Sequence, residues 1–168
     1  MSAAKPKLPA DDYISLLLFY QAYAETLDSG QWDDWPAFFT DECIYKVQPR
    51  ENFDQKLPLA TIAFESQGML KDRVYCIRET LYYEPYYQRH VVGAPVVTSV
   101  DGDGDRVIAH ASYAVFRTKP DAVTHIYNVG RYIDQLVRAP DSAHGWLLKS
   151  RICVFDSDLI LNSMIYPI

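Results

Sequence analysis

Four histidines, His90, His110, His125 and His144, are the side chains of this 168-residue chain best suited to moving protons or binding a metal. A mononuclear zinc or iron site would need two of them converging with a carboxylate. No HxxxH or HExxH pair occurs, and His144 lies in a polar turn. His90 and His110 fall on separate predicted strands, where both could face inward. The favoured reading is of histidines satisfied by hydrogen bonds within a sheet. Acid–base chemistry on a small ring is a second option. It would pair Asp28, Asp33 or Asp34 with His90 or His110, with Tyr45 donating a hydrogen bond to a carbonyl. The same aspartates also suit helix capping and the first-turn positions that a helix dipole favours.

Other signals narrow the field. Asp101-Gly102-Asp103-Gly104-Asp105 resembles the start of a calcium loop. Arg106 and Ser112 stand where such a loop needs Gly and Glu, so the segment reads as a hairpin turn. Cys43, Cys76 and Cys153 are dispersed, with no CxxC or CxH spacing, which points to reduced and mostly buried thiols in a cytoplasmic chain. That spacing also excludes an iron–sulfur site here. GxSxG, P-loop and GxGxxG motifs are absent. The net charge of -6 speaks against nucleic acid, and no apolar run reaches the ~18 residues of a membrane span. The 13 tyrosines suit an enclosed cavity or an interface, with Tyr82-Tyr83-Glu84-Pro85-Tyr86-Tyr87 the densest group.

The elements that must position these residues follow from periodicity. Residues 1–10 read as a disordered lead and 11–168 as one domain. A helix from Asp12 to Leu27, capped by Asp11 or Asp12, places Tyr13, Leu16, Leu17, Tyr20, Tyr23, Ala24 and Leu27 on one face. Asp28-Ser29-Gly30 ends it. A short helix from Asp33 to Phe39 brings Trp32, Trp35, Phe38 and Phe39 to the core, with Pro36 in its first turn. A strand from Cys43 to Gln48, a polar loop from Pro49 to Pro58 and a third helix from Leu59 to Leu70 follow. Candidate strands then run Tyr75–Tyr83, Gln88–Val100, Arg106–Arg117, Thr124–Val137 and Trp146–Phe155. Strands this long imply a strongly curved sheet. Helices first and strands afterwards give an α+β cone, with the helices on one face of a mostly antiparallel sheet. Such a cone serves enzymes and inert subunits alike.

The succession Tyr23–Leu27, Asp28-Ser29-Gly30-Gln31-Trp32-Asp33-Asp34-Trp35 and Phe39–Tyr45 carries a resemblance. So do Gly68-Met69-Leu70-Lys71-Asp72-Arg73-Val74, Tyr87-Gln88-Arg89-His90-Val91-Val92-Gly93, and the tail from Val154-Phe155-Asp156-Ser157 to Pro167-Ile168. Together they resemble the small (β) subunit of aromatic-ring-hydroxylating Rieske non-haem iron oxygenases. The similarity is nearest to small subunits acting on carboxylated aromatics, such as salicylate 5-hydroxylase and terephthalate dioxygenase. Pro49-Arg50-Glu51-Asn52 and Tyr86-Tyr87-Gln88-Arg89-His90 incline it to the salicylate type. The resemblance implies a cystatin-like (NTF2-like) cone and an α3β3 hexamer with β–β contacts. The Rieske [2Fe–2S] cluster and the mononuclear iron would belong to the α subunit, with electrons delivered by a reductase and often a ferredoxin. It assigns no catalytic, cofactor or metal residue to this chain, which would be inactive alone. The alternative is a stand-alone dehydratase or isomerase using the histidine–aspartate pair.

Overall fold

Phe39 to Pro49 makes one long strand, and it pairs directly and in parallel with the strand Trp146–Phe155. The computed structural model describes residues 8–157, 159 and 163–168. Helix α1 (Ala10–Asp28) leads through a 3₁₀ helix (Trp32–Phe38) into β1 (Phe39–Pro49). Then come α2 (Arg50–Asp54), β2 (Ile62–Phe64), α3 (Gln67–Tyr75) and a π-helical turn (Cys76–Thr80). Strands β3 (Tyr87–Val92), β4 (Val96–Val100), β5 (Arg106–Thr118), β6 (His125–Arg138) and β7 (Trp146–Phe155) complete the chain. The sheet order is β2-β1-β7-β6-β5-β3, with β4 also on β5. All pairs are antiparallel except β1 with β7. This is the mostly antiparallel, helix-backed α+β sheet that the periodicity implies.

Most elements fall where the sequence places them, with corrections that have physical causes. Helix α1 starts at Ala10, inside the expected lead, of which residues 1–7 lie outside the described residues. Neither Asp11 nor Asp12 caps it by a side-chain hydrogen bond; both sit in its first turn, and Asp12 pairs with Arg138 at 2.8 Å. Gly30 ends the region at φ +71°, a conformation glycine adopts without steric cost. Pro49–Pro58 contains the short helix α2 rather than loop alone, and none of that helix is buried.

The expected helix Leu59–Leu70 is wrong over its first half. Ile62–Phe64 pairs with Tyr45–Val47 of β1. The helix begins after Ser66, whose hydroxyl accepts from the Met69 amide at 3.3 Å. The expected strand Tyr75–Tyr83 is helical up to Thr80. Leu70 and Val74 of α3 and Ile77 of the following turn are buried, spaced four and three apart as on one continuous helix face. The expected strand Gln88–Val100 is two strands. Gly93 still donates to Ser112, but Pro95 has no amide to donate, and the ladder restarts at Val96.

The inner side of the sheet and α1 enclose an aromatic core. Trp35 is fully buried and donates to Tyr23 Oη at 3.0 Å, edge-on to Tyr45. At the centre lies a charge pair. Arg151 donates to Asp134 through Nε at 3.0 Å and Nη2 at 2.7 Å, with both side chains wholly inaccessible. Tyr20 donates to the same carboxylate. The guanidinium carbon sits 4.0 Å from the Tyr23 ring and 4.1 Å from that of Tyr132. Burial disfavours the Arg151 cation, but the adjacent Asp134 outweighs it and holds the group well above its ordinary pKa. Nearby, Gly130 passes so close to β7 that a Cβ there would stand 2.0 Å from the Val154 carbonyl oxygen.

Removing one member of a buried pair strands the other charge, at a cost of about 3–5 kcal/mol. Arg151→Met and Asp134→Asn should each destabilise on that scale in urea unfolding. The double variant Arg151→Met/Asp134→Leu should lose clearly less than the two single losses added together.

Candidate functional site

Of the possible histidine–aspartate pairs, the fold builds one. Asp28, the last residue of α1, meets His90 on β3. Its Oδ1 lies 2.6 Å from His90 Nδ1, and its Oδ2 accepts the His90 backbone N–H at 2.8 Å. The carboxylate therefore places a proton on Nδ1 and leaves Nε2 as the free end of the ring. That end is buried and has no hydrogen-bond partner among the described residues. The His90 side chain is fully buried and that of Asp28 is 4% exposed, with the exposed Arg89 guanidinium 3.7 Å from its Oδ2. The pair latches the end of α1 onto β3.

The other candidates go elsewhere. His110 sits on β5 opposite Ile133 and Val96, on the side of the sheet away from the helices. Asp33 is an exposed partner of Arg78 at 2.6 Å, and Asp34 is exposed. His125 accepts from Arg117 Nε at 3.2 Å. His144 stacks on Phe38 with centroids 4.9 Å apart, so its turn caps the core. Among the described residues no three His, Cys, Asp or Glu side chains gather in a way that could hold a metal.

Tyr45 does donate to a carbonyl, but that carbonyl is the chain's own. Its hydroxyl donates to the Ile168 oxygen at 3.2 Å and accepts the Ile168 amide at 2.9 Å. Tyr23 donates to the same oxygen at 3.1 Å, and the Cys153 thiol lies 3.6 Å from it. Ile168 is fully buried, so these hydroxyls are engaged by the chain itself. The approach of the tail is fastened at each step. Tyr127 holds the Ser163 carbonyl, Arg73 the Met164 and Ile165 carbonyls at 2.7 Å, and Gln88 the Pro167 carbonyl at 3.1 Å. Burial pushes Tyr45, Tyr113 and Tyr132 well above the ordinary phenol value. They are neutral donors and walls, not bases. The largest cleft, about 620 Å³, lies elsewhere; Ser99, Ile108, Gln135 and Lys149 line it, and neither His90 nor Tyr45 does.

Sequence reasoning missed Arg151 and Asp134, the two charges at the centre. Both occupy inward positions of long strands, Asp134 between Tyr132 and Leu136, and Arg151 two residues before Cys153. Opposite charges at inward parity on adjacent strands were the available signal. Their pairing depends on a register in which Asp134 faces Arg151.

Comparison with known proteins gives a consistent picture. Residues 22–162 match the family described as the ring hydroxylating beta subunit. The chain is 30% identical to the anthranilate 1,2-dioxygenase small subunit of Burkholderia cepacia, over 93% of this chain and 94% of that one. It is 33% identical to the terephthalate 1,2-dioxygenase terminal oxygenase subunit beta 2 of a Comamonas species, over 92% and 97%. Among solved structures, a Novosphingobium aromaticivorans β subunit assigned to an aromatic-ring-hydroxylating dioxygenase superposes with a TM-score of 0.85. That match has 37% identity and covers 96% of this chain and 100% of the other. The cone is therefore the cystatin-like (NTF2-like) fold.

Thiol chemistry reports directly on whether the cone is closed. Burial pushes Cys153 up to about 12 and raises Cys43 as well, whereas Cys76 is partly exposed. Only thiolates alkylate readily. Iodoacetamide on the native chain at neutral pH should therefore label Cys76 first, with Cys43 and Cys153 labelled only on unfolding, as read by peptide mass mapping.

Proposed function

The chain belongs to the ring-hydroxylating β-subunit family, and on that premise we propose that it is the structural small subunit of an oxygenase acting on an aromatic carboxylic acid. As the small subunit of a ring-hydroxylating dioxygenase, it is part of an oxidoreductase whose partner is a large α oxygenase subunit. The catalytic iron centres of this family sit in the α subunit. The observation that carries a structural role is the filled cone, with Ile168 on the Tyr23 and Tyr45 hydroxyls and the Arg151–Asp134 pair behind them. Anthranilate and terephthalate, which name the relatives above, are both aromatic carboxylates. Salicylate, an ortho-substituted benzoate like anthranilate, belongs to the same class and is the candidate substrate.

In this reading residues 11–168 act as one domain within an α3β3 hexamer. A reductase and a ferredoxin supply electrons to the α subunit in the cytoplasm. No helix among the described residues is long and apolar enough to cross a membrane. The side of the sheet away from the helices supports assembly. It exposes Ile44, Val91, Val96, Ile108 and Ile126, apolar surface of the kind that subunit contacts cover.

A second reading rests on the formed His90–Asp28 pair, which would let the isolated chain dehydrate or isomerise a small ring. The buried, unpartnered Nε2 counts against it, because a catalytic base must reach its proton. Co-expression with the large subunit separates the two. We expect a mixed complex of the hexamer's mass by light scattering, and no turnover of aromatic acids by the small subunit alone. A chain that remains apart from the large subunit and is active by itself would overturn the structural role.

A further inference from the structure

Arg117 is a buried cation that pairs with no acid among the described residues. It lies on the inner side of β5, and the residue is 6% exposed. Its Nε donates to His125, and its guanidinium carbon stands 4.5 Å from the Tyr127 ring centroid and 5.4 Å from that of Tyr86. Among the described residues no carboxylate pairs with it. Arg151, by contrast, has Asp134, and Arg138 has Asp12. Buried charges are as a rule paired, because desolvation otherwise goes uncompensated.

Arg117 also lines a cleft of about 130 Å³, with Lys119, Tyr82, Tyr83, Tyr86 and Ile165 among its other walls. The cleft's acid, Glu84, is engaged by Lys119 and 60% exposed, so it does not neutralise Arg117. We propose that this cleft binds an aromatic carboxylate. The planar guanidinium fork suits the two oxygens of a carboxylate, and tyrosine rings and Ile165 suit the flat apolar remainder. The volume accommodates one substituted ring and is far below the several hundred Å³ of a typical cofactor pocket. The site stands apart from the filled cone centre. Ser163 and Ile165 form part of its wall, so a ligand there touches the tail that ends at Ile168.

In taking the ligand to be the class of compound the oxygenase acts on, the proposal rests on the functional reading above. The two are read separately, since assembly is measured by mass without any ligand. The probe is benzoate, titrated into the full chain and into its complex with the large subunit while intrinsic tyrosine and tryptophan fluorescence is followed. Binding should be saturable, with acetate and benzyl alcohol each much weaker because each lacks one half of the recognition. Arg117→Met should weaken benzoate by about tenfold or more, the usual worth of a charge-assisted contact, with Arg117→Lys in between. If Arg117→Met does not fold, as judged by circular dichroism, Tyr82→Ala serves, since that side chain is fully exposed and its loss should still weaken benzoate. Absence of saturable binding, or affinity unchanged in both Arg117→Met and Tyr82→Ala, would overturn the proposal. So would loss of benzoate binding on assembly together with failure of Arg117→Met to assemble, which would make the anion a carboxylate of the large subunit.

Discussion

A fully desolvated arginine sets the terms for the rest of this molecule. Arg151 has no route to water, so its charge must be met inside the cone, and Asp134 on the neighbouring strand meets it with two hydrogen bonds. The faces of Tyr23 and Tyr132 cover the guanidinium, and Tyr20 completes the carboxylate's shell. Such an arrangement tolerates little rearrangement, because a displaced partner leaves an uncompensated charge in a low-dielectric interior. It also requires Asp134 and Arg151 to stand opposite one another. The pair therefore acts as a register pin for the long hairpin at the centre of the sheet.

The same constraint explains why the cone is closed. A pocket deep enough for a substrate would admit water to the ion pair and weaken it. Instead, aromatic rings and Ile168 occupy the centre, and tyrosine hydroxyls that would polarise a substrate carbonyl in an enzyme are spent on the chain's own backbone. The His90–Asp28 pair shows the same conversion at the edge of the helix layer. Residue types associated with proton transfer are present in contact, yet both oxygens of Asp28 serve to hold His90, backbone and ring, against α1.

How far this was legible in the sequence depended on how local each signal is. The first helix, the Trp32–Phe39 segment and the long strands from Arg106 onward carry their periodicity in consecutive residues, and they fold as read. Leu59–Tyr83 was misread because its helix is short and starts at a lone serine cap. Leu70, Val74 and Ile77 declare a helical face only if the segment is not divided at Val74. The Asp28–His90 pair could be named as one option among several, since each residue type was visible but their proximity was not. Arg151, Asp134 and Arg117 could not be singled out. A charged residue at an inward position has meaning only once the neighbouring strand and its register are known.

On the proposed function, this chain shapes an oxygenase and does not itself transfer protons. Reconstituting the complex with His90→Gln or Tyr45→Phe small subunits and measuring turnover per assembled complex tests this. Turnover should be unchanged within about twofold for each, with any deficit confined to the yield of complex. A loss of about a hundredfold in intact complexes, the usual worth of an acid–base group, would contradict that reading and put the chemistry back into this chain.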